Sequence, residues 1–361
     1  MRLAGRRRSL AGAQQGRVLV LIPAKDEEQT IEATLRSVEN QSRPPDEMIV
    51  MADDCRDGTE AIVRSRPAWS LWRSEANRHK KAGALNQAID RLESDGLLEP
   101  GDFLLVMDAD TELDRCFIEN ALDCHLRLAR VGGICATFYG KQGGGVLGAL
   151  QRIEYARFAR SLARKRGITF VLSGTATMYR LDVLRRLRDE RGFVYDTTSM
   201  LEDYEISLAL RHRGYRCFAP RSCRVRTDVM PTLGRLWRQR IRWQRGTLEE
   251  LRRYGLTRVT LPDIGRQLLL CGAMLTRLLL ITLISVTLAL RHGFEVRWEW
   301  TALSGVIAVE RALTVWKLGW TYTLTALILV PEELYGMFRE AFFVRSAWLA
   351  FRRAGWAWHS T

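Results

Sequence analysis

The chain predicts an α/β fold: a mostly parallel sheet flanked by helices, followed by a separate apolar helical region. Three observations carry that expectation. Short apolar strands alternate with helical patterns between Arg17 and about Thr137. The acid-rich strings Pro23–Glu28, Asp53–Thr59 and Asp108–Asp110 each follow one of those strands, where the loops of a parallel sheet gather around ligands. Apolar residues then concentrate after about Gln267.

Taken in order, Val18–Ile22 reads as a strand buried on both faces, because its apolar run leaves no polar side. A helix is expected over Glu27–Asn40 and a second strand over Glu47–Ala52, with Asp57-Gly58 marking a turn. A helix over Lys81–Leu92 leads to the apolar strand Phe103–Met107. Further on come a helix through Leu147–Arg164, a strand Ile168–Leu172 running into Ser173-Gly174-Thr175-Ala176, and a helix over Tyr204–Arg213. A strongly basic helix follows over Thr232–Arg253. There is no internal repeat and no low-complexity linker.

The formal charge is +14, from 55 Lys and Arg against 41 Asp and Glu, which implies polyanionic surroundings. Nucleic acid, an anionic leaflet and nucleoside diphosphates all fit that charge. Arginine crowds positions 235–258 directly before the apolar segment, so a juxtamembrane belt on the cytoplasmic side is favoured over nucleic acid. Cysteines 55, 116, 124, 135, 217, 223 and 271 form no C-x-x-C, which suits a reducing compartment. Residues 1–16 are basic without the apolar stretch of a signal peptide, and a flexible tail near the membrane surface is expected.

Gln267–Leu290 is long enough to cross a bilayer. Arg277 interrupts it at a cost of roughly 2.5–3.5 kcal/mol near mid-membrane. Trp298–Trp316 is weaker because it holds Glu310 and Arg311, and Gly319–Phe343 is broken by Pro331-Glu332-Glu333. Two or three transmembrane helices are expected, with an amphipathic C-terminal helix carrying Arg345, Arg352, Arg353 and several tryptophans.

The polar strings carry the chemistry. Asp53 ends a strand and can accept hydrogen bonds from a base edge or ribose, although the same string also reads as a polar turn. Lys81–Asn86 opens a helix, where backbone N–H groups and a lysine suit a phosphate, or form an ordinary first turn. Asp108 and Asp110 would face opposite ways in an extended strand, so a turn after Met107 is needed to aim both at one ion. Mg²⁺ or Mn²⁺ on Asp110, with Asp108 on the metal or the nucleotide, is the expectation. Glu202-Asp203 precedes a helix and could be a cap, or could supply Asp203 as a general base. Gln239, Arg242 and Trp243 share a helical face. Arg242 can clamp a diphosphate and Trp243 can offer a flat platform to an acceptor; a basic surface helix with a membrane-seeking indole is the plainer alternative. Gly174 and Thr175 either form a tight turn or let an acceptor approach the backbone.

Together these residues resemble the inverting glycosyltransferase family 2, in particular its membrane-associated branch with the cellulose, chitin and hyaluronan synthases and ceramide glucosyltransferase. The resemblance covers roughly Val18 to Gly246. It rests on Ile22–Glu28, Asp53, Lys81–Asn86, Asp108–Asp110, Ser173–Thr175, Leu201–Asp203 and Gln239–Trp243. It implies a GT-A fold, a nucleotide-sugar donor (usually uridine), and Mg²⁺ or Mn²⁺. It also implies Pro23, Ala24, Glu27, Asp53, Lys81, Asp108 and Arg242 on the donor, and Gly174, Thr175, Gln239 and Trp243 on the acceptor. Asp203, with Glu202, would be catalytic. Two departures stand out: Ala52 replaces the first aspartate of the usual D-D string, which favours Asp53 over Asp54, and Leu201 replaces the threonine of T-E-D.

The expected organisation is a GT-A domain over 17–262, with a nucleotide-binding half (17–139) and an acceptor half (140–262), then a membrane region over 263–361. The expected function is a membrane-anchored, inverting hexosyltransferase, its catalytic domain cytoplasmic, acting on a lipid-linked or envelope acceptor. Large processive synthases of this branch carry spans on both sides of the catalytic domain, which favours addition of one or a few sugars here. A processive polysaccharide synthase that uses an oligomer or partner for translocation is the alternative; no feature of the sequence itself indicates an oligomer. A nucleotidyltransferase would need a glycine-rich basic loop where Asp26, Glu27 and Glu28 stand. A non-catalytic polyanion-binding membrane protein would leave the acids unexplained.

Overall fold

A computed structural model describes residues 16–291 and 298–352. In chain order the elements are β1 (Val18–Ala24), α1 (Ile31–Glu39), β2 (Glu47–Ala52), α2 (Thr59–Arg64), β3 (Ser70–Arg73), α3 (Lys80–Ser94), β4 (Phe103–Met107) and β5 (Glu112–Leu113). Next come α4 (Phe117–Arg127), β6 (Val131–Cys135), β7 (Thr137–Gly140), α5 (Gly145–Arg164), β8 (Ile168–Thr169), β9 (Ala176–Arg180) and α6 (Leu181–Arg191). The chain continues through α7 (Glu202–His212), β10 (Arg216–Phe218), β11 (Arg224–Thr227) and α8 (Leu233–Tyr254). It ends in α9 (Leu261–Arg291), α10 (Trp298–Val315), α11 (Trp320–Ile328) and α12 (Val330–Phe351).

The main sheet has the order β3-β2-β1-β4-β9-β6-β10-β8. Its first four strands are parallel, in registers such as Leu19 with Glu47 and Val18 with Phe103. Both faces are covered, and the period of two divides each strand between two cores. Leu19, Leu21, Leu104 and Val106 pack toward α3 and α6. Val18, Val20, Ile22, Leu105 and Met107 pack toward α1 and α4. That two-sided burial is why these strands read as uninterrupted apolar runs. The result is a GT-A-like α/β domain with a mostly parallel sheet.

The sequence reading did not anticipate β9, which runs antiparallel between β4 and β6. The expected strand Ile168–Leu172 shrinks to β8, and the following residues bend toward the cleft. A second sheet, β5-β11-β7, sits beside the carboxyl end of β4.

Among the described residues one helix, α9, is long and apolar enough to cross a membrane, over Leu261–Leu290. This narrows the two or three expected spans. The third stretch divides at Leu329, whose φ of 62° breaks the helix before Pro331 enters the first turn of α12. α11 is then only nine residues long. α12 instead lies on α8, with Tyr335 and Phe338 against Leu236 and Trp237, and its Ser346 hydroxyl donating to the Ile241 carbonyl at 3.5 Å. Its first turn buries Glu332, which accepts from the two terminal Arg157 nitrogens at 2.6 and 2.9 Å and from Arg311 at 2.9 Å. Arg277, the charge inside α9, pairs with Glu340 at 2.8 Å and with Glu333. The outer side of α12 exposes Leu334, Met337, Val344, Trp348 and Phe351 among Arg339, Arg345 and Arg352. Arg353 and the last two tryptophans lie outside the described residues, as does the basic tail except for Gly16.

Candidate functional site

Parallel pairing brings the ends of β1, β2 and β4 side by side, and with them Ala24, Asp53 and Asp108. The Asp53 N–H donates to the Ala24 carbonyl at 2.9 Å. Its buried carboxylate accepts from Ser74 at 2.6 Å and Asn77 at 2.8 Å, which holds it rigidly at the cleft floor. The loop after Pro23 is laced to the one after β2. Glu27 donates its N–H to Thr59 at 2.8 Å, Glu28 donates to Asp57 at 3.0 Å, and Gly58 donates back to Glu28 at 2.8 Å. Asp57-Gly58-Thr59 is therefore a turn that positions the neighbouring loop.

Lys81, at the start of α3, lies 2.5 Å from Asp108 and 3.2 Å from Glu202. Burial opposes its charge, but Asp108 and Glu202 overcome that and raise its pKa. For Glu202 too burial works against the charge, and Lys81 holds the carboxyl below its ordinary value. Asp203 differs. One of its oxygens accepts the Gly174 N–H at 3.1 Å and the other its neighbour Tyr204 N–H at 2.7 Å. Burial first, then the adjacent Glu202, push its carboxyl up to about 6, against the pull of Lys81. The absence of a side chain at Gly174 leaves room for the Lys81 ammonium, which a Cβ there would meet at 2.9 Å. Thr175 accepts the Asp108 N–H through its carbonyl at 3.2 Å and shares a hydroxyl contact with Ser173 at 2.8 Å. The Ser173–Thr175 string thus braces the acids from behind.

The turn needed after Met107 is present, closed by the Thr111 N–H donating to the Asp108 carbonyl at 3.3 Å. Burial, then repulsion from Asp108, Glu27 and Asp228, push the Asp110 carboxyl up to about 7. Glu27 is raised as well, by burial with Asp108 and Asp228 adding to it. Crowded acids of this kind fit a divalent cation, whose charge would reverse the repulsion. Among the described residues no three His, Cys, Asp or Glu side chains converge closely enough to hold a metal unaided. Two aspartates completed by substrate oxygens and water are the donor set that Mg²⁺ or Mn²⁺ accepts.

On α8, Arg242 lies close enough to lower the pKa values of Glu202 and, with burial, of Lys80. Trp243 packs against Leu201 and Tyr204 at the start of α7. Gly246 allows that approach, since a Cβ there would sit 2.6 Å from Leu201 Cγ. Gln239 buries its Oε1 with no donor among the described residues. A cavity of about 10 Å³ lies beneath Lys81, Glu202 and Asp203, walled by Tyr179 and Tyr195. It holds one water at most.

The structure thus gathers Lys81, Asp108, Glu202, Asp203 and Arg242 into one electrostatic unit, with Asp110 and Glu27 in a second that shares Asp108. Sequence reasoning missed Asp228, which enters beside β11 and pairs with Lys141 at 3.1 Å. An acid directly after a short strand was the signal available. It also missed Arg240, buried between Gln239 and Arg242, whose partners lie far away in sequence.

Residues 19–188 match the family model described as glycosyl transferase family 2. This segment is a family 2 glycosyltransferase domain. The poly-β-1,6-N-acetyl-D-glucosamine synthases of Staphylococcus aureus (strain COL) and Staphylococcus epidermidis are each 27% identical to this chain. The matches cover 65% and 64% of this chain, and 56% and 55% of theirs. The chain therefore spans just over half the length of these curated relatives. The mannosyltransferase PcManGT from Pyrobaculum calidifontis, solved with GDP-Man and Mn²⁺, superposes with a TM-score of 0.58 over 94% of this chain and 88% of that one. At 19% identity that likeness is one of fold.

Proposed function

We propose that this glycosyltransferase moves a sugar from a UDP-sugar to an envelope glycan or lipid-linked acceptor, by direct displacement that inverts the anomeric carbon. The observation that carries the reading is the Asp203 carboxylate, held by two backbone N–H groups 2.7 and 3.1 Å away and raised to about 6. Such a group is ionised at neutral pH yet more basic than an ordinary aspartate, which suits a general base. Asp203 takes the proton of the acceptor hydroxyl as its oxygen bonds to the anomeric carbon and the bond to the diphosphate breaks. No carboxylate is required as a covalent nucleophile.

Asp53, Pro23 and Ala24 form the floor for base and ribose. Arg242 and Lys81 face the negative charge that collects on the departing diphosphate. Glu202 keeps Lys81 in place between the two halves. Asp108 and Asp110 would hold Mg²⁺ or Mn²⁺, which when bound neutralises the diphosphate as a Lewis acid. Gln239, with its unsatisfied oxygen, and Trp243 receive the acceptor beside Gly174 and Thr175. α9 anchors the chain, and the arginines of α8 keep the catalytic domain on the cytoplasmic face.

A second reading, a processive polymer synthase, is favoured by the names of the staphylococcal relatives. Membranes containing the full chain, supplied with labelled UDP-N-acetylglucosamine, UDP-glucose and GDP-mannose in turn, separate the possibilities. One or a few sugars on extractable lipid or glycan supports the first reading, and a ladder of long polymer moves the function to the second. Transfer from GDP-mannose alone would overturn the uridine assignment.

A further inference from the structure

Trp243 is not held by its own helix alone. The Arg240 guanidinium stands 4.5 Å from the centre of its ring, and the same side chain is 5.8 Å from the Tyr155 ring. Positions 240 and 243 are three apart on α8, so the two side chains share one flank. Arg240 is only 7% exposed, and a charge so deeply buried requires a fixed partner. That partner is Glu154 of α5, which accepts from Arg240 at 2.9 Å. Glu154 in turn accepts the Tyr335 hydroxyl of α12 at 2.7 Å through the same oxygen, while Arg339 stands 3.9 Å from the other. A single carboxylate thus joins three helices: α5 of the catalytic domain, α8 with its motif residues, and α12 of the C-terminal region.

We propose that Arg240 is a positioning residue for the Trp243 platform, locked by Glu154 and Tyr335, so that acceptor recognition depends on α12 being docked. The proposal rests on the reading of Trp243 as an acceptor contact. The physical logic is a stack whose direction is set from both ends. The planar guanidinium aligns with the indole on one side and is oriented by a charged hydrogen bond on the other. Loss of the Tyr335 hydroxyl frees Glu154 to turn, and Arg240 follows it away from the ring. Among the described residues Asp53 and Asp203 share no hydrogen bond with Arg240, Glu154 or Tyr335, so donor binding should depend on the relay less than acceptor binding does.

The test uses the full chain in detergent, labelled with 5-fluorotryptophan. The Trp243 fluorine resonance is identified by its loss in Trp243→Phe. Tyr335→Phe and Glu154→Gln are expected to shift that resonance while those of Trp69 and Trp72, in the nucleotide half, stay in place. With UDP-N-acetylglucosamine as donor and a β-1,6-linked N-acetylglucosamine trisaccharide as acceptor, both variants should raise the acceptor KM on the order of tenfold with little change in kcat. UDP affinity measured by calorimetry should be unchanged. Arg240→Lys, which keeps the charge but not the plane, should resemble them rather than the parent chain. A Trp243 resonance unmoved in Tyr335→Phe and Glu154→Gln would overturn the proposal whatever the acceptor. An acceptor KM unaffected by Trp243→Ala, with the resonance shifts intact, would instead remove the platform reading and leave the relay standing.

Discussion

Lys81 stands 3.2 Å from Glu202, and that contact ties the nucleotide half of the cleft to the acceptor half. The same ammonium reaches Asp108. One cation therefore compensates acids from two motifs separated by roughly a quarter of the chain, and through its field it also tunes Asp203.

Lys81→Met tests that tuning. The base must be ionised to act, so transfer should rise with pH through about 6 and fall away below it. Lys81 favours the ionised form of Asp203. Its removal should move this acid limb to higher pH, besides lowering the maximal rate. A pH–rate profile with the limb unmoved would dismiss the electrostatic link.

Asp203→Asn keeps the shape and the Gly174 contact region while removing the proton acceptor. Transfer should fall by about 10²–10⁴-fold, the usual contribution of a general base. Affinity for UDP should stay near that of the parent chain. Near-normal turnover in single-turnover assays would strip Asp203 of the role.

Asp110→Asn should abolish the metal dependence of donor binding. In calorimetry the parent chain is expected to bind UDP-sugar more tightly with Mn²⁺ than after chelation, and the variant to bind equally weakly in both. Metal-sensitive affinity that survives the substitution would place the ion elsewhere.

Glu332→Ala probes the attachment of the C-terminal helices. Removing this buried carboxylate takes the ion partner from Arg157, which keeps Thr314 and the Arg311 carbonyl, and leaves Arg311 paired with Glu333; each arginine has about a quarter of its side chain exposed. Breaking a buried pair costs roughly 3–5 kcal/mol, and the partial exposure of the arginines points to the lower end. The measurement is the unfolding midpoint in detergent; no change would mean that the helices are held without this cluster.

Much of the site was legible because its chemistry sits beside local pattern. Asp53 and Asp108 follow apolar strands, and a strand buried on both faces announces itself by having no polar side. The face shared by Gln239, Arg242 and Trp243 follows from helical spacing alone. Asp228 and Arg240 were not legible in this way. Asp228 acquires meaning only beside Asp110, and Arg240 only against Glu154, 86 residues away, which is held in turn by Tyr335, 181 residues from Glu154. The break of the third apolar stretch at Pro331 was legible, but its direction was not: hydropathy records composition, whereas Leu329 and Pro331 turn the chain back onto α8.

By itself the sequence determined the alternation of β1, β2 and β4 with helices, the acids at the ends of those strands, the basic helix and the long apolar helix. Each follows from interactions between near neighbours in the chain: alternation, capping and spacing. Only the tertiary structure decided that β9 runs backward between β4 and β6, that Lys81 serves acids from two motifs, and that α12 covers α8. Those outcomes depend on which distant charges and surfaces come within a few ångströms, and burial then makes each pairing obligatory.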